Sequence, residues 1–266
     1  MSAFVILVIF LLGLIVGSFL NVVILRWGTG MSAARGRSMC FSCGKELAWY
    51  ELVPLFSFLV QSGRCRGCRT KISWQYPLVE AATGAAFVVA YYAATSLVGF
   101  VLTAALLCVY IIIVTYDARH KIIPDFFSYL AAFISLGLIG ATWLATGSID
   151  PYRVIAGPAL FLFFWAFWYF SKGTWMGLGD GKLALSIGWA LGLSEGVAAL
   201  LFSFWIGAII SLAVIGVQKL AGGRSSASRR LGMKSEIPFG PFLIIGFLIV
   251  FIWHVDIQAI LSYLAV

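Results

Sequence analysis

The sequence predicts an all-α polytopic membrane protein, with about eight transmembrane helices and a small cytosolic, zinc-ribbon-like insertion built on four cysteines. Three observations carry this reading. First, 62% of the 266 residues are hydrophobic and only 11% charged, with a mean hydropathy of +1.03. Soluble domains carry roughly 25% charged residues. Second, apolar segments of near membrane-spanning length recur along the whole chain. Third, the basic residues segregate. Seventeen of the 18 Lys and Arg fall in loops that eight spans place on one side, and only Arg153 falls on the other. The positive-inside rule makes the basic side cytosolic and both termini external. Topology therefore accounts for the net charge of +8, and no nucleic acid is called for.

The first segment, residues 3–25, reads as an anchor helix. It has no positive n-region and is longer than a signal peptide needs. Its Gly13 and Gly17 are spaced to let another helix approach closely. Residues 26–77 form the only stretch long enough for a small extramembrane domain, and they hold four of the five cysteines. A charge-free run from Ala81 to Tyr116 follows. As one helix it would reach ~54 Å, too long for a ~30 Å hydrocarbon core. It therefore splits near Thr95-Ser96, giving spans at 78–94 and 96–116. Further spans are expected at 126–146, 154–170, 182–193, 196–218 and 237–264. The sixth, 182–193, is too short to cross alone, so it is either a half-helix or is continued by its flanks. Residues 219–236, rich in Gly, Ser and Arg, read as a flexible cytosolic linker able to meet anionic lipid. The expected organisation is a first transmembrane helix at 1–25, a cytosolic cysteine domain at 26–77 and a membrane-embedded domain at 78–266.

Cys40-x-x-Cys43 and Cys65-x-x-Cys68 are two knuckles 21 residues apart. Four thiolates at this spacing, one residue beyond the usual zinc-ribbon range, suit a structural zinc ion with a closed shell and no open catalytic position. Gly44 and Gly67 suit the tight turns around such a metal. Two disulfides are the competing reading, disfavoured on a reducing cytosolic face. An insertion of about 50 residues buries little core and benefits from such a staple. Cys108, alone in an apolar span, reads as inert packing.

Asp117 closes the charge-free run, and Asp180 lies in the glycine-rich break Gly177-Leu178-Gly179-Asp180-Gly181-Lys182. Carboxylates at membrane depth are costly and mark function by default. By topology both reach the cytosolic face. Two close carboxylates share one proton, the apparatus of an aspartic protease. Gly177 and Gly179 leave room for a substrate backbone. Duller roles exist: Asp117 as an interfacial partner of Arg119 or Lys121, Asp180 as an anion at a helix N-terminus. Asp125, after Pro124, is expected to cap the helix that follows. Gly177-x-Gly179 is no dinucleotide fingerprint, because position 182 is Lys and no predicted strand precedes it.

These motifs, in this order, resemble the type IV prepilin peptidases, bifunctional enzymes of bacterial pilus and type II secretion systems. The resemblance rests on Gly17-Ser18-Phe19-Leu20-Asn21 with Arg26, on Arg37-Ser38-x-Cys40-x-x-Cys43, and on Trp49-Tyr50 and Pro54-Leu55. It continues through Gly63-Arg64-Cys65-x-x-Cys68, Tyr76-Pro77-x-x-Glu80, Asp117 with Ile123-Pro124-Asp125, and Gly177-x-Gly179-Asp180-x-Lys182. It implies a multi-pass inner-membrane enzyme that cleaves the leader of prepilins or pseudopilins at the cytosolic face, with Asp117 and Asp180 as its catalytic pair. It also implies N-methylation of the new amino terminus by S-adenosylmethionine, an activity associated with the cysteine loop. Phe41, Glu51-Leu52 and Gln61-Ser62 depart from the family pattern within that loop, so a peptidase without methyltransferase activity is the alternative. A proton-coupled carrier would need polar residues along a path through the bilayer. A non-catalytic scaffold would tolerate loss of both aspartates.

Overall fold

A computed structural model describes residues 3–220 and 238–264. Among the described residues it contains α-helices and short 3-10 and turn segments, with two isolated β-bridges and no strands. The linker expected at 219–236 lies, from residue 221 on, outside the described residues. The chain divides into two compact units, one up to Thr115 and one from Tyr116 onward.

The first unit begins with α1 (Ala3–Arg26), apolar all round as a lipid-facing helix is. It continues through the cysteine insertion, which holds a 3-10 turn (Trp49–Glu51) and α2 (Phe56–Val60). Next come α3 (Gln75–Ala93) and most of α4 (Leu97–His120). The close approach expected at Gly13 and Gly17 is made onto α3. A Cβ on Gly13 would stand 2.7 Å from the Thr83 carbonyl, and one on Gly17 2.8 Å from the Glu80 Cα. The break between α3 and α4 falls at Thr95-Ser96 as expected. The Ser96 hydroxyl accepts the Gly99 amide at 3.1 Å and so starts α4.

The second unit is built around α7 (Leu178–Leu191), which packs against α5 (Asp125–Thr146), α6 (Pro151–Ser171), α8 (Leu193–Leu220) and α9 (Gly240–Trp253). Small residues permit this crowding. A Cβ on Gly188 would come within 2.6 Å of the Ala156 carbonyl, and one on Gly181 within 3.2 Å of Phe164. Arg153 closes the far end of α7, where its guanidinium donates to the carbonyls of Trp189 and Ala190. That satisfies last-turn acceptors and opposes the helix dipole. Topology alone had left Arg153 without a role.

Among the described residues, five helices are long and apolar enough to cross a membrane: α1, α4, α5, α6 and α8. The three other expected spans are helical but do not reach that standard. α7 and α9 have 14 residues each, or ~21 Å at ~1.5 Å per residue. α3 carries Gln75, Pro77 and Glu80 in its first turns. α7 does start four residues before the expected segment, and it stops at Gly192, whose φ of +91° ends the helix. The last expected span, 237–264, is broken. α9 ends at His254, in the left-handed region, and α10 (Ile257–Leu264) follows.

Candidate active site and metal centre

Asp117 and Asp180 both lie in the second unit, and both are buried, 3% and 8% exposed. Asp117 sits in the last turn of α4. Asp180 is the third residue of α7, whose N-cap is Gly177 in extended backbone. Their neighbours converge: Ile123 lies against both Gly240, whose amide binds Asp117, and Gly179, which precedes Asp180.

Two residues frame the pair. The Gly240 amide, at the start of α9, donates to Oδ2 of Asp117 at 3.0 Å. A free amide at a helix N-terminus is a natural anion donor. Ile123 fills the remaining space. It meets a notional Cβ of Gly240 at 3.3 Å through Cδ1 and one of Gly179 at 3.1 Å through its own Cβ. Gly179 thus admits Ile123, while a Cβ on Gly177 would find only ordinary contacts, the Oδ2 of Asp180 at 3.7 Å among them. Gly240 went unnoticed in sequence because the last segment reads as apolar from 237 on. The available signal was Pro238-Phe239-Gly240-Pro241, a prolyl helix start.

Asp125 is not the cap that its place after Pro124 suggested. Pro124 occupies the N-cap position, with no side-chain bond, and Asp125 is the first helical residue. Its carboxylate instead takes the Lys182 ammonium at 2.6 Å, and Lys182 also lies over the Tyr129 ring. The pair ties the start of α5 to the turn of α7 that holds Asp180. Its Asp125 end is solvent-facing, which limits its worth to about 1 kcal/mol. Asp125→Asn should therefore lower thermal stability only slightly, measured by thermal unfolding beside the unaltered protein in matched membranes.

In the first unit the four cysteines of the insertion are free and gathered, all four Sγ atoms within 4.8 Å of one another. The knuckles are copies of one turn. The Cys40 amide donates to the Lys45 carbonyl and the Gly44 amide to Cys40, just as the Cys65 amide donates to Thr70 and the Arg69 amide to Cys65. Gly44 and Arg69 occupy equivalent left-handed positions, φ +72° and +59°. Gly67, expected to serve that turn, instead leaves space beside the thiols. A Cβ there would lie 3.5 Å from the Cys43 sulfur and 3.7 Å from that of Cys65. Sγ of Cys40 and Sγ of Cys68 stand 3.8 Å apart. A tetrahedron with metal–sulfur bonds of ~2.3 Å has edges of about 3.8 Å. The donor set and its spacing fit a metal ion. Glu51 braces the first knuckle, accepting the Lys45 ammonium at 2.9 Å and the Ala48 amide at 3.0 Å. The Ala48 amide, then Lys45, hold its carboxyl below the usual range. Arg26 organises the preceding loop by donating to the carbonyls of Ser32, Arg35 and Arg37.

Residues 11–94 match the model of the bacterial peptidase A24 N-terminal domain, and residues 104–212 match that of the type IV leader peptidase family. A relative in Pseudomonas aeruginosa named prepilin leader peptidase/N-methyltransferase is 31% identical over 273 residues, covering 91% of this chain and 88% of the relative. The chain belongs to the type IV leader peptidase family. Relatives of the same name in Myxococcus xanthus and Klebsiella pneumoniae are 35% and 34% identical, covering 82% and 69% of this chain. The chain spans 65% of the Myxococcus relative's length and 84% of the Klebsiella one's. No solved structure matches. Within the leader peptidase match lie Asp117, Asp125 and Asp180, and within the A24 N-terminal match lie the four cysteines. Gly240 lies beyond both.

Proposed function

We propose that this protein is a membrane-embedded aspartic endopeptidase that removes the leader from type IV prepilins or pseudopilins and N-methylates the new amino terminus. One observation carries the peptidase reading. Two buried carboxylates from separate helices flank Ile123, and one of them accepts a helix-N-terminal amide, in a chain of the leader peptidase family. Asp117 and Asp180 are the catalytic pair and share one proton, so their titration belongs to the pair. The ionised carboxylate takes a proton from water as the water oxygen bonds to the scissile carbonyl carbon. The protonated one donates to the carbonyl oxygen. A proton then passes to the amide nitrogen, the C–N bond breaks, and leader carboxylate and mature amine separate. The Gly240 amide orients Asp117 throughout. Gly177 leaves space for the substrate backbone, and Gly179 lets Ile123 form a wall. Amides enclosed in a helix resist attack, so a pair at the ends of α4 and α7 serves a substrate helix that unwinds at the membrane edge.

The segregation of Lys and Arg supports a cytosolic site in the bacterial inner membrane. Domain boundaries at residues 1–25, 26–77 and 78–266 belong to the same reading, with the peptidase in the last. The metal held by Cys40, Cys43, Cys65 and Cys68 is zinc, and it supplies folding energy to the insertion. Cys65→Ser should abolish stoichiometric zinc in the purified protein, measured by elemental analysis, and open residues 26–77 to limited proteolysis. The methyl donor is S-adenosylmethionine, to which no residue is assigned.

The test is to incubate membranes carrying the protein with a model prepilin, with and without S-adenosylmethionine, and to weigh the mature product. Cleavage in both, with one added methylene only when the donor is present, is the expected result. Cleavage without the methylene would leave a peptidase alone, and an uncut substrate would overturn the proposal.

A further inference from the structure

The insertion carries an apolar face that neither site uses. Phe56, Leu59 and Val60 of α2 are exposed, Leu59 at 72% and Phe56 at 64%. Depth along α1 indicates what covers them. Gly17 abuts Glu80 of α3, and it lies nine residues before Arg26, the polar end of α1. That is ~13 Å at ~1.5 Å per residue. The Glu80 side chain leans toward the start of α3, where its Oε2 accepts the Leu55 amide at 2.8 Å. Phe58 rests on Trp74, ring centres 5.0 Å apart. α2 is therefore held several ångströms inside the polar end of α1, alongside its apolar length.

The backbone suits an apolar medium, where an unpaired amide is expensive. The amides of Ser57, Leu59, Gln61, Ser62, Gly63 and Arg64 donate to carbonyls within the segment at 2.9 to 3.1 Å. The Leu55 amide, before the first turn, is satisfied by Glu80. Leu55 itself has φ +58° and ψ −49°, the rare and strained γ-turn conformation, and the Phe56 amide donates across it to the Pro54 carbonyl at 2.6 Å. Arg64, Arg66, Arg69 and Lys71 follow and are exposed, a basic run suited to anionic headgroups.

We propose that residues 53–60 are an interfacial lipid anchor. α2 lies at the headgroup–acyl boundary, with Phe56, Leu59 and Val60 among the acyl chains and the basic run at the headgroups. Glu80 is the latch that holds the segment at that depth. The proposal requires that α1 cross the bilayer and does not depend on the peptidase reading.

The test uses the full chain in phospholipid nanodiscs, with photoreactive benzoylphenylalanine at position 56 or 59. Leu12, exposed on α1, serves as the lipid-facing control. Mass spectrometry should find phospholipid adducts at 56 and 59 as at 12. Adducts at 12 with none at 56 and 59, or adducts there to protein instead, would overturn the anchor. Glu80→Leu, with the probe at 59, should lose most of the lipid adduct. Full retention would remove Glu80 as the latch. Should that variant fail to accumulate, the probes in the otherwise native chain still decide.

Discussion

Replacing Asp180 with Asn should lower leader cleavage by roughly 10²- to 10⁴-fold, the scale of losing a positioned acid or base. That corresponds to about 2.7–5.5 kcal/mol of transition-state stabilisation. Asn keeps the shape of the side chain but can neither hold nor release the shared proton. The change sits in the first turn of α7, where the helix is fixed elsewhere by Gly188 against Ala156 and by Arg153 on its last carbonyls. Protein level in the membrane should be unchanged, and quantitative blotting beside the cleavage assay checks this. A stable but inactive variant is the expected outcome.

Gly240→Ala should be the second most damaging change, for a steric reason. Gly240 lies outside the left-handed region, so Ala suits its backbone. The added methyl, however, would stand 2.7 Å from Oδ2 of Asp117 and 3.3 Å from Cδ1 of Ile123. Relief requires the carboxylate to move by several tenths of an ångström, and its bond from the Gly240 amide is disturbed with it. Displacement of a reacting group by ~1 Å can cost about 10²-fold. The fall should appear in kcat far more than in KM, because no contact with the bulk of the substrate is removed. Steady-state cleavage of a model prepilin by matched membranes measures the split.

Much of the fold was legible because apolar length is a direct membrane signal. Each of the eight expected segments contains a helix, and the split at Thr95-Ser96 follows from the length limit alone. The break after Trp253 was missed although His254 and Asp256 interrupt the apolar run there, and Asp256 accepts the Ala259 amide at 2.7 Å at the start of α10. Asp117 and Asp180 could be singled out because a carboxylate beside an apolar run is conspicuous. Their surroundings could not. The partner of Asp125 is Lys182, 57 residues away, and a local rule assigns Asp125 to the helix end instead. Gly240 meets Asp117 from 123 residues away, and its role is a backbone amide with no side chain to betray it. Glu80 was visible as a motif residue, but its bond to the Leu55 amide is a matter of depth, which periodicity does not encode.

The central claim is that Asp117 and Asp180 act as one catalytic pair. Single-turnover cleavage of a model prepilin by Asp117→Asn, Asp180→Asn and the double variant tests it most directly. Residues acting as a unit are non-additive, so each single variant should be as inactive as the double. Substantial cleavage by either single variant, or losses that multiply in the double, would contradict the account.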